Sequence, residues 1–363
     1  MSSNLQAVSD AGVSIWLDDL SRDRLQSGSL AKLITESNVV GVTTNPSIFS
    51  AAIKGSALYR DDLLALKDQG KSVSDIVTTL TTTDVIAACD LFLEIYDATH
   101  RVDGRVSIEV DPFLAHQTDP TIVQGKYLWN LVNRPNLLIK VPATLAGLPA
   151  ITELTAAGIS VNVTLIFSVE RYEKVIDSYL TGLERRVTAG LPITDIHSVA
   201  SFFVSRIDTE IDKRLDAISP NSPLRGQSAI ANADLAYEAY LRTIGSLRWH
   251  NLLKHGANQQ RPLWASTGVK DKRYESTRYV IELIARGCVN TMPEGTLNQV
   301  RDHGIVRGDT ITPAIPGSRA HFDSLSSAGV DFADVVEFLE KDGVKKFADA
   351  WQELLDNVSA VSE

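Results

Sequence analysis

Cysteine is nearly absent. Cys89 and Cys288 are the only two in 363 residues. Two thiols cannot staple a chain of this length into a disulfide framework, so a reducing compartment fits. They lack partners at metal-ligand spacing and read as small buried apolar groups. Long apolar runs are also missing. "VIAACDLFLEIYDA" is broken by Asp90 and Glu94, and no run reaches membrane-spanning length. The start, "MSSNLQAVSDAGVSIWLDD", has neither a basic opening nor an apolar stretch, so it is not a secretory signal. There is no long Lys/Arg run, and the net charge is −10, a balance that repels nucleic-acid phosphates. No G-x-G-x-x-G follows the first strand and no G-x-x-x-x-G-K-[ST] occurs, so dinucleotide and P-loop sites lack their markers. The expectation is a cytoplasmic protein with no membrane or nucleic-acid partner.

What is present is an ordinary globular composition, 44% hydrophobic and 22% charged. Short β-rich runs alternate with helix-length amphipathic stretches. The runs are "VSIWLD" from Val13, "VVGVTT" from Val39, "VSIEVD" from Val106, "NLLIKVP" from Asn136, "ISVNVTLIF" from Ile159, "VASFFVS" from Val199, "PLWAST" from Pro262 and "CVNTMP" from Cys288. Eight strands with helical connections predict parallel βαβ units closed into a single (β/α)8 barrel over residues 1–363. The stretches from Asp216 and from Arg301 are rich in Pro, Ser, Asn and Gly and read as loops. Residues 331–357 form a helical extension by period, with Gly343 as a point of fracture or kinking.

Strand side chains alternate between two faces, and the outer face of a barrel must be apolar to meet its helices. Ile15 and Leu17, Ile108 and Val110, Ile139 and Val141, and Val161, Val163 and Leu165 take that face. So do Phe202 and Val204. The inner set is then Asp18, Asn45, Glu109, Lys140, Asn162, Thr164 and Ser201, with Phe203. Each stands in the second half of its strand or just beyond it, at the end where barrel chemistry occurs. Lysine is among the residues least often fully buried. Burial disfavours an ammonium ion, and a neutral amine can attack a carbonyl carbon to form a Schiff base. That chemistry needs a proton shuttle, for which Asp18 and Glu109 are candidates.

Read together, "LDD" from Leu17, "GVTTNPSIF" from Gly41, "SIEVDP" from Ser107, "IKVPAT" from Ile139, "NVTLIFS" from Asn162 and "SFFVSRID" from Ser201 resemble the transaldolases. The match runs in order over residues 13–290. The resemblance implies a pentose-phosphate enzyme that moves a dihydroxyacetone unit. The donor would be sedoheptulose 7-phosphate or fructose 6-phosphate, the acceptor glyceraldehyde 3-phosphate or erythrose 4-phosphate. Lys140 would form the Schiff base, and Asp18 would take the proton from the C4 hydroxyl. Glu109 and Thr164 would work through a water. Asn45, Asn162, Ser201 and Phe203 would bind substrate or flank the lysine, and Arg206 would hold the phosphate. Where shorter members carry another arginine after strand seven, this chain has Ser266 and Lys270. No metal or organic cofactor is implied. A monomer or homodimer is expected, with the C-terminal helix across the barrel mouth.

Local alternatives stay open. Asn45 before Pro46 also reads as a helix N-cap, and Asp18 as a cap for the next helix. Glu109 and Lys140 also read as a structural ion pair. Paired Asp18 and Glu109 alone would suit a glycosidase, but that reaction has no use for Lys140, and aromatics are only 7%. A barrel that merely binds sugar phosphates needs no buried amine. An aldolase cleaving fructose 6-phosphate without transfer is the nearest rival.

Overall fold

The computed structural model describes residues 3–360. All eight expected strands form: β1 (Ser14–Leu17), β2 (Val39–Val42), β3 (Arg105–Glu109), β4 (Leu137–Pro142), β5 (Val161–Ile166), β6 (Ser198–Phe203), β7 (Gln260–Ala265) and β8 (Val289–Met292). Each pairs in parallel with its sequence neighbours, and β8 returns to β1, closing the barrel. Helices occupy the connections, as a parallel sheet buried on both faces requires. Every residue of β3, β4, β5 and β6 is buried, the polar ones on the inner face included.

The expected alternation holds on the outside. Phe202 meets Trp264 of β7 and Tyr172 of the helix Val169–Thr188, both edge-on. Inside, Trp16 fills the lower barrel against Gly41. A Cβ at Gly41 would come within 2.6 Å of the indole, so the close approach demands glycine. The Trp16 N–H donates to Asp103 at 3.1 Å, and Asp103 pairs with Arg261 at 3.0 Å. That network closes the end opposite the inner carboxylates.

Four expectations need correction. The stretch from Asp216 is a loop only in its middle, because "SAIANADL" opens the helix Ser228–Ile244. Its alanines and the leucines beyond them favour a helix once the Pro-rich lead-in is passed. The stretch from Arg301 likewise begins in the helix Glu294–His303 and ends in the helix Ile315–Ser327. Pro316 sits at the start of the latter, where proline is tolerated. Gly343 does not break the C-terminal helix, which runs unbroken as Phe332–Ala360. A Cβ there would lie 3.1 Å from Leu165, so glycine lets the helix approach the barrel. Finally, β5 does not alternate regularly to its end. Its register with β6 shifts between Val163 and Ile166, and Leu165 has a φ of 60°. A bulge of this kind re-aims the chain just after Thr164.

The C-terminal helix buries Val335, Leu339, Gly343, Phe347, Trp351, Leu354 and Val358, a stripe at helical spacing. It packs on the helix Pro46–Gly55 and is held by Glu340 to Arg171 at 3.0 Å and by Glu353 to Lys54 at 3.3 Å. Among the described residues, no helix is long and apolar enough to cross a membrane.

Candidate active site

Lys140 and Glu109 are register partners on β4 and β3, and Asn162 is the partner of Lys140 on β5. Neighbouring strands thus set three polar side chains at one level of the barrel. Lys140 is only 4% exposed. Its ammonium donates to the Thr44 carbonyl at 2.8 Å, lies 3.3 Å from Glu109 Oε2, and stands 5.6 Å from the centre of the Phe347 ring. These partners explain how a buried strand accommodates lysine. Burial pushes the Glu109 carboxyl up to about 7, with Lys140 opposing and Asp18 adding to the rise. Burial also raises Asp18, against the pull of Lys140 and a 2.7 Å hydrogen bond from Thr43.

A cavity of about 300 Å³ opens above this layer. Nine of the eleven expected residues line it: Asp18, Asn45, Lys140, Thr164, Ser201, Phe203, Arg206, Ser266 and Lys270. The other two do not. Asn162 donates to Ser107 at 2.9 Å and accepts from Ser201 at 2.7 Å, so its amide orients Ser201 beneath the cavity floor. Glu109 lies behind Lys140 and faces a second, smaller cavity. Asn45 proves to be both cap and lining. Its side-chain oxygen accepts from Ile48 N at 3.1 Å, and Pro46 opens the helix. Asp18 is not a cap; its carboxylate takes the Thr43 hydroxyl.

The far side of the cavity is cationic. Arg206 begins the helix Ser205–Ile218, stacks its guanidinium 5.0 Å from the Phe203 ring, and leaves Nη1 buried without a protein partner. Burial lowers its proton affinity, while Asp342 and Asp18 favour its charge. Lys270 is lowered first by burial and then by Arg206. Two cations with one guanidinium nitrogen unpaired form a seat for an anion. Ser266, at φ 56°, sets its hydroxyl 3.0 Å from Ser205.

Thr43, Thr291 and Phe347 also line the cavity and were not expected there. Thr43 and Thr291 share a 2.6 Å hydrogen bond beside Asp18. The parity of Thr43 with Asn45 was visible, whereas β8 carries one polar residue on each face, so parity alone does not single out Thr291. Nothing in the sequence placed Phe347 over Lys140. A larger cavity of about 750 Å³ lies between the helices Ile315–Ser327 and Phe332–Ala360, but it holds no comparable set of reactive groups. Among the described residues, no three His, Cys, Asp or Glu side chains gather as a metal site. Both cysteines are buried and free.

The profile of the transaldolase/fructose-6-phosphate aldolase family matches residues 15–358. A transaldolase of Thermobifida fusca (strain YX) is 55% identical over 361 residues, covering 99% of this chain and 98% of the relative. A transaldolase of Mycolicibacterium smegmatis is 57% identical over 355 residues, covering 97% and 96%. "Transaldolase 2" of Streptomyces coelicolor is 54% identical over 362 residues, covering 99% and 97%.

Proposed function

The chain belongs to the transaldolase/fructose-6-phosphate aldolase family, and from that premise we propose that it transfers a dihydroxyacetone unit through a Schiff base on Lys140. Its class is transferase, as for its transaldolase relatives. The observation that carries the mechanism is a buried amine 3.3 Å from a carboxyl group held near neutrality, facing a cavity with an acid at one side and an anion seat at the other.

The sugar phosphate, sedoheptulose 7-phosphate or fructose 6-phosphate, enters with its phosphate on Arg206 and Lys270. Lys140 attacks the keto carbon. Glu109, acting through a water placed with Thr164, protonates the carbinolamine hydroxyl, which leaves as water. Asp18 then takes the proton of the C4 hydroxyl as the C3–C4 bond breaks. The electron pair of that bond moves into the protonated imine, and a three-carbon enamine stays on Lys140. Glyceraldehyde 3-phosphate or erythrose 4-phosphate accepts it, and hydrolysis frees the lysine. Asn45 and Ser201 hold substrate hydroxyls, Asn162 keeps Ser201 in place, and Phe203 packs beside the reacting carbons. The whole chain acts as one unit in the cytoplasm, as a monomer or homodimer, with the C-terminal helix completing the cavity.

The test is reductive trapping. Fructose 6-phosphate and borohydride should add a dihydroxyacetone-sized mass on Lys140, lost in Lys140→Ala. A folded protein that binds the sugar phosphate but traps nothing would sink the Schiff base. With erythrose 4-phosphate present, formation of sedoheptulose 7-phosphate marks transfer; free dihydroxyacetone alone would favour the simple aldolase.

A further inference from the structure

The C-terminal helix Phe332–Ala360 meets the barrel through a buried stripe at four-residue spacing, Gly343, Phe347 and Trp351. Each position does something different. Gly343 lets the backbone come close, since a Cβ there would stand 3.1 Å from Leu165 and 3.4 Å from the Phe167 ring. The Trp351 indole N–H donates to the Asp111 carboxylate and ties the helix to the loop after β3. Between them, Phe347 is 5% exposed, lines the main cavity, and has its ring centre 5.6 Å from the Lys140 nitrogen. The rest of the lining comes from the strands, the loops that follow them and the helices those loops open. Apart from Phe203, Ala265, Gly268 and Pro293, those residues are polar or charged and attract water. Phe203 already packs against Phe167 and Arg206. Phe347 is therefore a large apolar group brought to the lysine from outside the barrel.

We propose that Phe347 decides the fate of the three-carbon enamine: it covers Lys140 and keeps water from the enamine carbon until an aldehyde arrives, so that the unit is transferred instead of released. The proposal rests on the Schiff-base reading and names what selects its outcome. Two fates compete. In transfer, the enamine carbon attacks the aldehyde carbon, a C–C bond forms, and the aldehyde oxygen takes the proton held by Asp18. In release, the same carbon takes its proton from water. The imine so formed adds the remaining hydroxide at its C=N carbon, and dihydroxyacetone separates from the free amine. Release therefore consumes one water. Closing a site against water prevents leakage of this kind. A ring also suits the nitrogen beside it, because a cation within about 6 Å of an aromatic face is attracted to it. The protonated imine on either side of the enamine keeps that attraction. Phe347 supplies no proton and no hydrogen bond; it is a specificity-determining residue.

The readout is a ratio. With fructose 6-phosphate and erythrose 4-phosphate present together, sedoheptulose 7-phosphate and free dihydroxyacetone are measured in one reaction. Phe347→Ala should raise free dihydroxyacetone relative to transfer product by about tenfold or more, the low end of what a hydrophobic wall discriminates. Borohydride should still trap the adduct on Lys140 in that variant. Phe347→Leu restores apolar bulk and should return most of the way to the parent ratio. Phe347→Val falls between the two and carries the same test where alanine does not fold. A merely structural side chain changes rate or stability and leaves the ratio alone. A parental ratio in folded Phe347→Ala or Phe347→Val would thus overturn the proposal. So would a ratio raised as far in Phe347→Leu as in Phe347→Ala, which would trace the effect to the ring's attraction for the cation and not to cover. A parent that releases dihydroxyacetone alone has no cover to lose and also overturns it. A parent that traps nothing on Lys140 strikes at the Schiff base and removes both readings, whereas an unchanged ratio in a chain that traps strikes at Phe347 alone.

Discussion

Lys140 and Glu109 meet across neighbouring strands, both buried. Removing one partner of such a pair leaves the other poorly solvated, which is more damaging than never having had the pair. Glu109 resolves this by holding a proton over an unusual range, up to about 7. A carboxyl at that value both gives and takes a proton near neutral pH. Glu109→Gln keeps the shape and abolishes the exchange. It should slow imine formation by about a hundredfold or more, and the inflection near pH 7 should vanish from its rate profile. Stopped-flow mixing with fructose 6-phosphate across pH 5–9 measures both. An inflection that survives in Glu109→Gln would assign it to another group. At this scale the sequence was informative: the inward parity of Asp18, Lys140, Thr164 and Ser201 is a strand property, and local spacing reveals it. Phe347 was hidden because it reaches the site from a helix, where docking and not period decides what a side chain meets.

Two helices beside the barrel carry a second buried acid. Asp234, on the helix Ser228–Ile244, accepts from Ser318 of the helix Ile315–Ser327 at 2.6 Å, and its other oxygen has no partner. Burial pushes it from its ordinary 3.8 up to about 7. Between those values the folded chain keeps a proton that the unfolded chain has lost. Its contribution to stability is therefore complete below 3.8 and gone above about 7. Asp234→Asn removes that dependence. It should raise the urea midpoint at pH 8 relative to the parent, with little or no gain at pH 4. A gain equal at both values would rule out the proton as the cause. These two helices were the elements least legible in the sequence, since the Pro- and Gly-rich segments leading into them look like loops. The strands were legible because each is a short β-branched and aromatic run whose outer face is apolar, set between helix-length stretches. The bulge at Leu165 was not, because a single added residue leaves the apolar pattern intact while its backbone turns to positive φ.

Closing eight strands on themselves removes every sheet edge and obliges the interior to be filled to its ends. Trp16 over Gly41 is part of that filling, and neither residue lines the cavity. Gly41→Ala should destabilise the fold by about 1–3 kcal/mol through overpacking, while the Michaelis constant of the folded fraction stays put. Denaturant unfolding and steady-state kinetics on one sample separate the two; a changed constant with unchanged stability would contradict this division. Barrel closure was predictable from the count and spacing of strands, whereas the identity of the plug needed the Trp16–Gly41 approach to be seen. The front of the cavity is a different matter. Phe347 rides on a helix that is fastened to the barrel through side-chain contacts, among them Glu340 to Arg171. Such an attachment can open with the barrel intact, because regions of one protein open at different free energies. On warming, turnover should fade and return on cooling within a band of temperature where the circular dichroism of the barrel has not begun to change, so that heat disarms the catalyst before it melts the protein.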